Sequence, residues 1–397
     1  MKRLSLDPTS ALAQVRGNLI DIETENIAVL ASRAAGIDDL IPLWYGEGDL
    51  VTPEPIRAAA QASLAKGETF YVPQMEGRPD LSAALATYQS RLHGITLGED
   101  RSTVTPGGMQ AVHLACSLML EAGTNAVYVE PQWPNIRQSI QLAGAEPRAV
   151  ALEMKDGDWQ LDLDKVFDAC DARTRAIILS TPSNPCGWTA SPEVFEALIA
   201  FSRKTGVWII SDEVYSRLTE DGTAAPSLLQ VAGPEDLALC INGFSKAWAM
   251  TGWRIGWLNH PASVAPVIRA MTQYVNSGTA AFVQAGAVAA LEQGEPIVEQ
   301  VRGRCRKGMD VAYEILGRSN RIRLPEKPKG GMYVFFSVAD QPDAHSFCSQ
   351  MVTEAHVGLA PGGLFGEPFR GHVRMCIARD HTQIETACTR VLEALGG

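Results

Sequence analysis

The side chains best suited to covalent chemistry in this sequence follow short apolar segments. Asp212 and Tyr215 come after VWIIS (207–211), and Lys246 comes shortly after LALCI (237–241). A lysine amine can form a Schiff base with a carbonyl group, a carboxylate can pair with a protonated ring nitrogen, and a phenol can hydrogen-bond an oxygen. Together these residues suggest a Schiff-base cofactor whose ring nitrogen needs an acidic partner.

A site for an anion is predicted on the same side of the fold. A short strand, 103–105, leads into Gly107, Gly108 and Met109 at the start of a predicted helix. The free N–H groups and the dipole at a helix N-terminus favour a phosphate group. Arg254 adds a guanidinium group, which is suited to bidentate contact with phosphate.

Two further side chains, Trp133 and Asn184, follow the apolar segments AVYVE and AIILS. Each has a simpler explanation when it is taken alone. A tryptophan usually belongs to a core, and an asparagine before Pro185 is common in turns. Lysine is seldom buried, so Lys246 alone would be interpreted as a surface residue. A shared site is favoured because all these groups are predicted to lie together, beyond the ends of neighbouring strands.

The elements that must position these residues alternate between two patterns. Four apolar, β-rich segments are predicted strands: 126–130, 176–180, 207–211 and 237–241. The clearest helix is 191–206, with Ser191 at its N-cap and Gly206 at its end, and helices are also predicted at 109–120 and 162–172. This alternation predicts an α/β fold with a mostly parallel sheet covered on both faces. Such sheets bind ligands beyond the carboxyl ends of their strands.

The two ends of the chain differ from its middle. A long polar helix is predicted from about residue 295, and a strand follows at 331–338. We therefore predict two unequal domains. The large one spans 51–294, and a smaller, discontinuous domain is assembled from 1–50 and 295–397.

Composition excludes several classes of protein. The 397 residues are 46% apolar and 20% charged, which is typical of a globular chain. The net charge of −11 disfavours binding to nucleic acid or to an anionic membrane. The eight cysteines lack the spacing of a metal site, so no metal is predicted. Without a signal-peptide pattern or a run of about 20 apolar residues, we expect a soluble, cytoplasmic protein.

The segment NGFSKAWAMTGWRIGW (242–257) resembles the lysine segment of the class I/II aminotransferases, which are pyridoxal-phosphate enzymes of fold type I. The resemblance extends over nearly the whole chain. Further matching segments are YGEGDLVTPEPI, FYVPQMEGRPDL, TPGGMQAV, SNPCG, DEVY, PGGLFG and HVRMCIA. The motifs of nicotinamide dehydrogenases, P-loop NTPases and α/β-hydrolases are absent from the sequence.

The resemblance implies a role in binding pyridoxal 5'-phosphate for several residues. Lys246 would hold the cofactor as a Schiff base and then move a proton, and Asp212 would pair with the ring nitrogen. Tyr215 and Asn184 would bond the phenolic oxygen of the cofactor, and Trp133 would stack on its ring. Lys246, Asp212 and Tyr215 are thus the implied catalytic residues.

The resemblance also implies how the phosphate is held. The N–H groups at the Gly107–Met109 turn, those of Gly108 and Met109 above all, would bind it together with Arg254. Tyr71 would reach it from a neighbouring subunit, which implies a homodimer with shared active sites. Many family members carry a serine where this chain has Gly243, so whether Ser245 replaces that phosphate contact is left open.

Substrate recognition is implied by a third group of residues. Arg374 would bind the substrate α-carboxylate, and Gly46 would lie over the substrate, with Trp133 and Asn184 beside it. Tyr274 stands where some dicarboxylate-specific members have an arginine, and Tyr45 adds aromatic surface. We therefore expect a neutral, apolar or aromatic amino-acid side chain.

The leading hypothesis is an amino-acid:2-oxo-acid aminotransferase that works in two half-reactions. One alternative is an aspartate-type aminotransferase, and another is a Cβ–S lyase on the same fold, which would release pyruvate and ammonia from a cysteine conjugate without an oxo acid. A transcriptional regulator with an aminotransferase-like domain is disfavoured, because it would need a basic DNA-binding region before that domain. Only about fifty acidic-to-neutral residues precede it.

Overall fold

The computed structural model describes residues 11–20, 27–222 and 224–396. Residues 1–10, 21–26 and 397 of the predicted smaller domain, and residue 223 of the larger one, lie outside the described residues. The strands are β1 Ile41–Pro42, β2 Ser102–Thr105, β3 Asn125–Glu130, β4 Glu146–Ala151, β5 Glu153–Lys155, β6 Asp158–Gln160, β7 Thr174–Ser180, β8 Trp208–Asp212, β9 Ala238–Gly243, β10 Gly256–Asn259, β11 Ile322–Arg323, β12 Tyr333–Val338, β13 Val357–Gly358, β14 Ala360–Pro361 and β15 His372–Cys376.

The α-helices are α1 Gly17–Ile20, α2 Ile27–Arg33, α3 Glu54–Ala65, α4 Pro79–His93, α5 Gly108–Met119, α6 Pro134–Leu142, α7 Leu163–Asp168, α8 Pro192–Thr205, α9 Ala265–Val275, α10 Ala281–Gln293, α11 Glu295–Leu316, α12 Ala344–Gln350 and α13 His381–Ala394. Short 3-10 helices lie at Ala11–Gln14, Glu99–Arg101, Leu228–Gln230, Thr251–Trp253, Ala262–Val264, Gly362–Phe365 and Glu367–Phe369, and a π-helix lies at Met351–Ala355.

A seven-stranded sheet in the order β2-β10-β9-β8-β7-β3-β4 forms the centre of the fold. All neighbouring pairs among the five strands β9, β8, β7, β3 and β4 are parallel, and β10 runs antiparallel to both β2 and β9. The four segments predicted as strands are β3, β7, β8 and β9, so the predicted α/β class with a mostly parallel sheet is confirmed. The antiparallel β10 was missed, because its four residues directly follow a loop and show no separate pattern.

Apolar side chains cover both faces of this sheet. Because successive residues of a strand point to opposite faces, Ile177 of β7 packs on one side with Leu198 of α8. Ile178, the next residue, packs on the other side with Ile136 of α6. Strands buried on both faces read as continuous apolar runs, which is the pattern that the sequence shows.

Two predicted helices differ from the structure in detail. Helix α8 spans Pro192–Thr205 and ends at Gly206, whose φ of +77° favours glycine, but the Ser191 side chain makes no cap hydrogen bond. The helix predicted at 162–172 is shorter and ends at Asp168.

A second, four-stranded sheet has the order β11-β12-β15-β14, and all of its pairings are antiparallel. The segment predicted as a strand at 331–338 is β12, and the polar helix predicted from about 295 is α11. Near the N-terminus, β1 pairs in parallel with β13. These pairings bring together both ends of the chain, whereas the division into two domains remains a prediction.

Candidate active site

A cavity of about 550 Å³ opens at the carboxyl ends of the parallel strands. Most of the residues predicted to form a site line it: Tyr45, Gly46, Gly108, Met109, Trp133, Asn184, Asp212, Tyr215, Ser245, Lys246, Arg254 and Arg374. Two predicted residues, Gly107 and Tyr71, do not. The cavity is therefore where the rule for parallel sheets places a ligand.

Lys246 lies in the loop after β9, half-buried beneath the segment that contains Gly46. Its Nζ donates a hydrogen bond to the Gly46 carbonyl oxygen at 2.5 Å. Burial lowers the pKa of the amine from 10.5 to about 8, and the nearby positive charge of Arg374 adds to this effect. A substantial share of the amine is therefore neutral near physiological pH, as a nucleophile or a base requires.

Asp212 is the last residue of β8, and its buried side chain faces the cavity. One carboxylate oxygen accepts a hydrogen bond from the Val214 N–H at 3.2 Å. Burial raises the pKa of this carboxyl to about 6, against the attraction of Lys246. Among the described residues it has no ion-pair partner within 4 Å. A cationic group in the cavity would remove this imbalance.

Tyr215 is hydrogen-bonded to a second phenol that lines the cavity. Its hydroxyl lies 2.7 Å from that of Tyr333, and the two rings meet edge to face at 5.7 Å. Burial raises the pKa of Tyr215 well above 10 and that of Tyr333 to about 12, so both phenols keep their protons. Tyr333 was not among the residues predicted for the site.

Arg374 on β15 brings a buried positive charge to the cavity, and its side chain is only 3% exposed. Its Nη1 donates to Asn184 Oδ1 at 2.8 Å, and its Nη2 donates to the Trp44 carbonyl oxygen. The guanidinium carbon lies 4.5 Å from the ring centroid of Tyr333 and 4.7 Å from that of Phe365. Within the described part of the chain, its Nε has no hydrogen-bond partner. An anion is the ligand that such a group would attract.

The turn before α5 and Arg254 form another part of the cavity wall. Gly107 adopts a φ of +83°, and a Cβ atom there would lie 2.5 Å from Arg254 Nη2. A side chain at position 107 would therefore displace Arg254, so Gly107 supports the site although it does not line the cavity. Gly108 and Met109 open the helix, where backbone N–H groups have no carbonyl of a preceding turn to bind. The Arg254 side chain is exposed beside them and donates to the Thr251 carbonyl oxygen at 2.8 Å.

The family model described as "Aminotransferase class I and II" matches residues 39–391, almost the whole chain. The chain belongs to the class I and II aminotransferases. The family predicted from the lysine segment is thus confirmed, and with it an enzyme that acts on amino acids and oxo acids.

Named relatives of this aminotransferase differ in their substrates. It is 30% identical to aromatic-amino-acid aminotransferase 2 of Thermococcus litoralis over 94% of this chain and 96% of that protein. It is 28% identical to an aspartate aminotransferase of Pyrococcus horikoshii, over 95% and 96%. The solved structure of an aspartate aminotransferase from Thermotoga maritima superposes with a TM-score of 0.89 at 29% identity, covering 96% of this chain and all of that one. The predicted fold is confirmed.

Several residues that line the cavity of this aminotransferase were not predicted: Ile27, Ala28, Pro134, Asn135, Gln138, Ser180, Val214, Thr251, Tyr333, Leu364 and Phe365. Leu364 and Phe365 fall within PGGLFG, a segment already matched to the family, so they could have been found. Tyr333 falls within an apolar strand, where a tyrosine is ordinarily interpreted as part of the core.

Tyr71 lies apart from the cavity and is 83% exposed, and its neighbour Phe70 is 84% exposed. Tyr71 therefore does not contribute to the cavity of its own chain. Its implied role, in the site of a neighbouring subunit, stays a prediction. In the described residues there is no cluster of side chains that could hold a metal ion, and no helix has the length and apolar character to cross a membrane.

Proposed function

We propose that this chain is a pyridoxal-phosphate-dependent amino-acid:2-oxo-acid aminotransferase that acts by two half-reactions and prefers amino acids with neutral, apolar or aromatic side chains. The observation that carries the proposal is the contrast of charges around one cavity. Among the described residues, the buried carboxylate Asp212 has no ion-pair partner within 4 Å, and neither does the buried guanidinium of Arg374.

The cavity fits pyridoxal 5'-phosphate at three points. The ring nitrogen of the cofactor, when protonated, supplies the cation that buried Asp212 lacks. The helix start at Gly108, with Arg254 beside it, suits the phosphate group. Lys246, with its lowered pKa, suits the attachment of an aldehyde.

The remaining cofactor contacts come from residues that line the same cavity. Tyr215 and Asn184 would bond the phenolic oxygen, and Trp133, which directly precedes α6, would stack on the ring. Asn184 can serve both partners, because its Oδ1 accepts from Arg374 while its Nδ2 is left to donate. Ser245 lines the cavity near the phosphate end and offers a hydroxyl there.

When bound, the cofactor accepts the electron pair released as the Cα–H bond of the amino acid breaks. Lys246 would carry the proton of that step, because a lysine with a pKa of about 8 can both accept and return a proton near neutral pH. The Gly46 carbonyl, 2.5 Å from Nζ, orients the amine. Tyr215 would donate a hydrogen bond to the phenolic oxygen, and Asp212 would keep the ring nitrogen protonated.

Arg374 would bind the substrate α-carboxylate with two parallel hydrogen bonds. Contacts with Asn184 and the Trp44 carbonyl fix the plane of its guanidinium group. Because these contacts exist before a substrate arrives, little ordering is needed on binding.

The wall available to the substrate side chain favours neutral amino acids. It includes the side chains of Ile27, Tyr45, Leu364 and Phe365. In the described part of the chain, the cations that line the cavity are Lys246, Arg254 and Arg374, and each has another role in the proposal. Tyr274, at the position where some dicarboxylate-specific members have an arginine, carries no positive charge and is 84% exposed. The nearby upstream Arg269 pairs with Glu76 at 3.6 Å and does not line the cavity, so neither residue supplies a cation for a distal carboxylate.

We also propose a homodimer, with Tyr71 of one chain completing the phosphate site of the other. Tyr71, Phe70 and Tyr274 are each more than four-fifths exposed, and burial against a second copy would remove this apolar surface from water. The exposed Arg254 side chain leaves the part of the cavity proposed to bind phosphate accessible to such a partner.

We also propose that the chain forms two domains, a large one at 51–294 and a smaller one from 1–50 and 295–397. We propose a cytoplasmic location, which the eight unpaired cysteines support.

The proposal is tested with purified protein that has been loaded with pyridoxal phosphate. Half-reactions with phenylalanine, leucine and aspartate should be followed by the visible absorption of the cofactor. We expect phenylalanine or leucine to react fastest, and a clear preference for aspartate would contradict the proposed side-chain specificity. Release of pyruvate and ammonia from a cysteine conjugate without an oxo acid would instead indicate a Cβ–S lyase.

A further inference from the structure

Tyr333 is the most enclosed polar side chain of the cavity. It begins β12 and is 1% exposed, although β12 belongs to the second sheet and Tyr215 follows a strand of the first. The 2.7 Å hydrogen bond between their hydroxyls therefore joins residues on two separate sheets.

Either hydroxyl can donate this hydrogen bond, and the direction decides which proton is left for a ligand. Each phenol has one proton, and burial keeps both phenols protonated. If Tyr333 donates to Tyr215, then the Tyr215 proton is left to donate to a ligand. A hydroxyl that accepts one hydrogen bond also becomes a stronger donor in the next one.

Two other contacts fix the position of Tyr333. Its ring lies against the guanidinium group of Arg374, 4.5 Å from the guanidinium carbon to the ring centroid. Its hydroxyl lies where a side chain at position 46 would begin, since a Cβ atom on Gly46 would be 2.0 Å from it. Tyr333 thus lies against three residues with proposed roles. Tyr215 would bind the cofactor oxygen, Arg374 would bind the substrate carboxylate, and Gly46 accepts the hydrogen bond of the lysine amine.

We propose that Tyr333 is a positioning residue that donates a hydrogen bond to the Tyr215 hydroxyl, so that the Tyr215 O–H is directed at the phenolic oxygen of the cofactor. This inference rests on the proposed function. A donor to that oxygen stabilises its negative charge and so lowers the pKa of the lysine–cofactor linkage beside it.

The test is a pH titration of the visible absorption of the holoenzyme. Tyr333→Phe removes the hydroxyl and keeps the ring against Arg374, so the apparent pKa of the linkage should rise by about half a pH unit to one pH unit. Tyr215→Phe should raise it at least as much. In the double variant the two shifts should not add, because Tyr333 acts through Tyr215.

Tyr313→Phe is the matched control, because it removes the hydroxyl of another partly buried tyrosine, which bonds the Glu326 carbonyl oxygen outside the cavity. It should titrate like the wild type. An unchanged titration of Tyr333→Phe, or a full additional shift in the double variant, would overturn the role of Tyr333 alone. If the wild type shows no pH-dependent visible band, or Lys246→Ala retains one, then the proposed function itself fails.

Discussion

The Nζ atom of Lys246 donates a hydrogen bond to the carbonyl oxygen of Gly46 at 2.5 Å, across 200 positions of sequence. The segment around Gly46 is seated closely from both sides. A Cβ atom on Gly46 would lie 2.0 Å from the Tyr333 hydroxyl, and one on Gly48 would lie 2.8 Å from the Ala378 carbonyl oxygen. The Lys246 amine is therefore oriented by a backbone segment that leaves no space for a side chain at positions 46 and 48.

Gly46→Ala should displace this segment and reduce activity. Contacts of this kind cost about 1–3 kcal/mol, so we expect kcat/KM to fall roughly tenfold or more. Tyr333→Phe removes the oxygen that the new methyl group meets. Gly46→Ala should therefore reduce kcat/KM less in the Tyr333→Phe background than in the wild type. Steady-state kinetics on the four proteins check this. An equal reduction in both backgrounds would show that Tyr333 is not the obstacle.

The fold was predictable to the extent that burial determines sequence pattern. Strands covered on both faces, such as β7, must be apolar throughout, so their sequence reveals them. Strand β10, which lies between β2 and β9, is different, since it has four residues and returns antiparallel after a loop. Short segments of this kind show no period long enough to detect.

The candidate site was predictable where chemistry demands a residue type at a fixed spacing. Lys246, Asp212 and Arg374 all line one cavity as expected. Tyr333 was missed because its role depends on a contact between two sheets, and a strand's own sequence does not say which neighbour it will face. The place of Tyr71 likewise depends on a second chain.

The lowered pKa of Lys246 predicts how cofactor attachment depends on pH. Only the neutral amine attacks an aldehyde, so the rate of attachment to the cofactor-free protein should rise about tenfold per pH unit below a pKa of about 8 and then level off. Absorbance after mixing with pyridoxal phosphate measures this rate. Lys307→Ala, at an exposed lysine, should keep the profile, and Lys246→Ala should abolish attachment. Half-maximal attachment near pH 10.5 would contradict the prediction.

Asp212 should make the cofactor-free protein less stable above pH 6. Its pKa rises from 3.8 to about 6 on folding, so the folded state holds this proton more tightly than the unfolded state. Stability conferred by the protonated group is therefore lost as the pH rises from about 4 to 6, by roughly 2–3 kcal/mol.

Asp212→Asn removes that titration. Without cofactor, the variant should melt at a higher temperature than the wild type at pH 7, with a smaller difference at pH 4. With cofactor, the order should reverse, because only the wild type gains the ion pair with the ring nitrogen. Thermal melts with and without pyridoxal phosphate check both statements. A variant that is less stable than the wild type without cofactor at pH 7 would contradict them.

Arg374→Ala should weaken the binding of every amino acid. The guanidinium group is buried and prepositioned for a carboxylate that all α-amino acids share, so its removal should raise KM about a hundredfold whatever the side chain. Arg370→Ala is a suitable control, because that exposed arginine pairs with Glu367 and Asp343 outside the cavity. An increase restricted to one amino acid would show that Arg374 recognises a side chain instead.

Gly243→Ser should strengthen the retention of the cofactor. A Cβ atom at Gly243 would lie 3.4 Å from Gly256 Cα and 3.7 Å from the Gly108 nitrogen, which are ordinary contact distances at the phosphate end of the cavity. The added hydroxyl would supply one hydrogen bond to the phosphate, so the Kd for pyridoxal phosphate should fall by about two- to tenfold. Gly243→Ala fills the same space without a donor and should bind like the wild type. Equal affinities for the serine and alanine variants would show that position 243 does not face the phosphate, and would favour Ser245 as the hydroxyl that does.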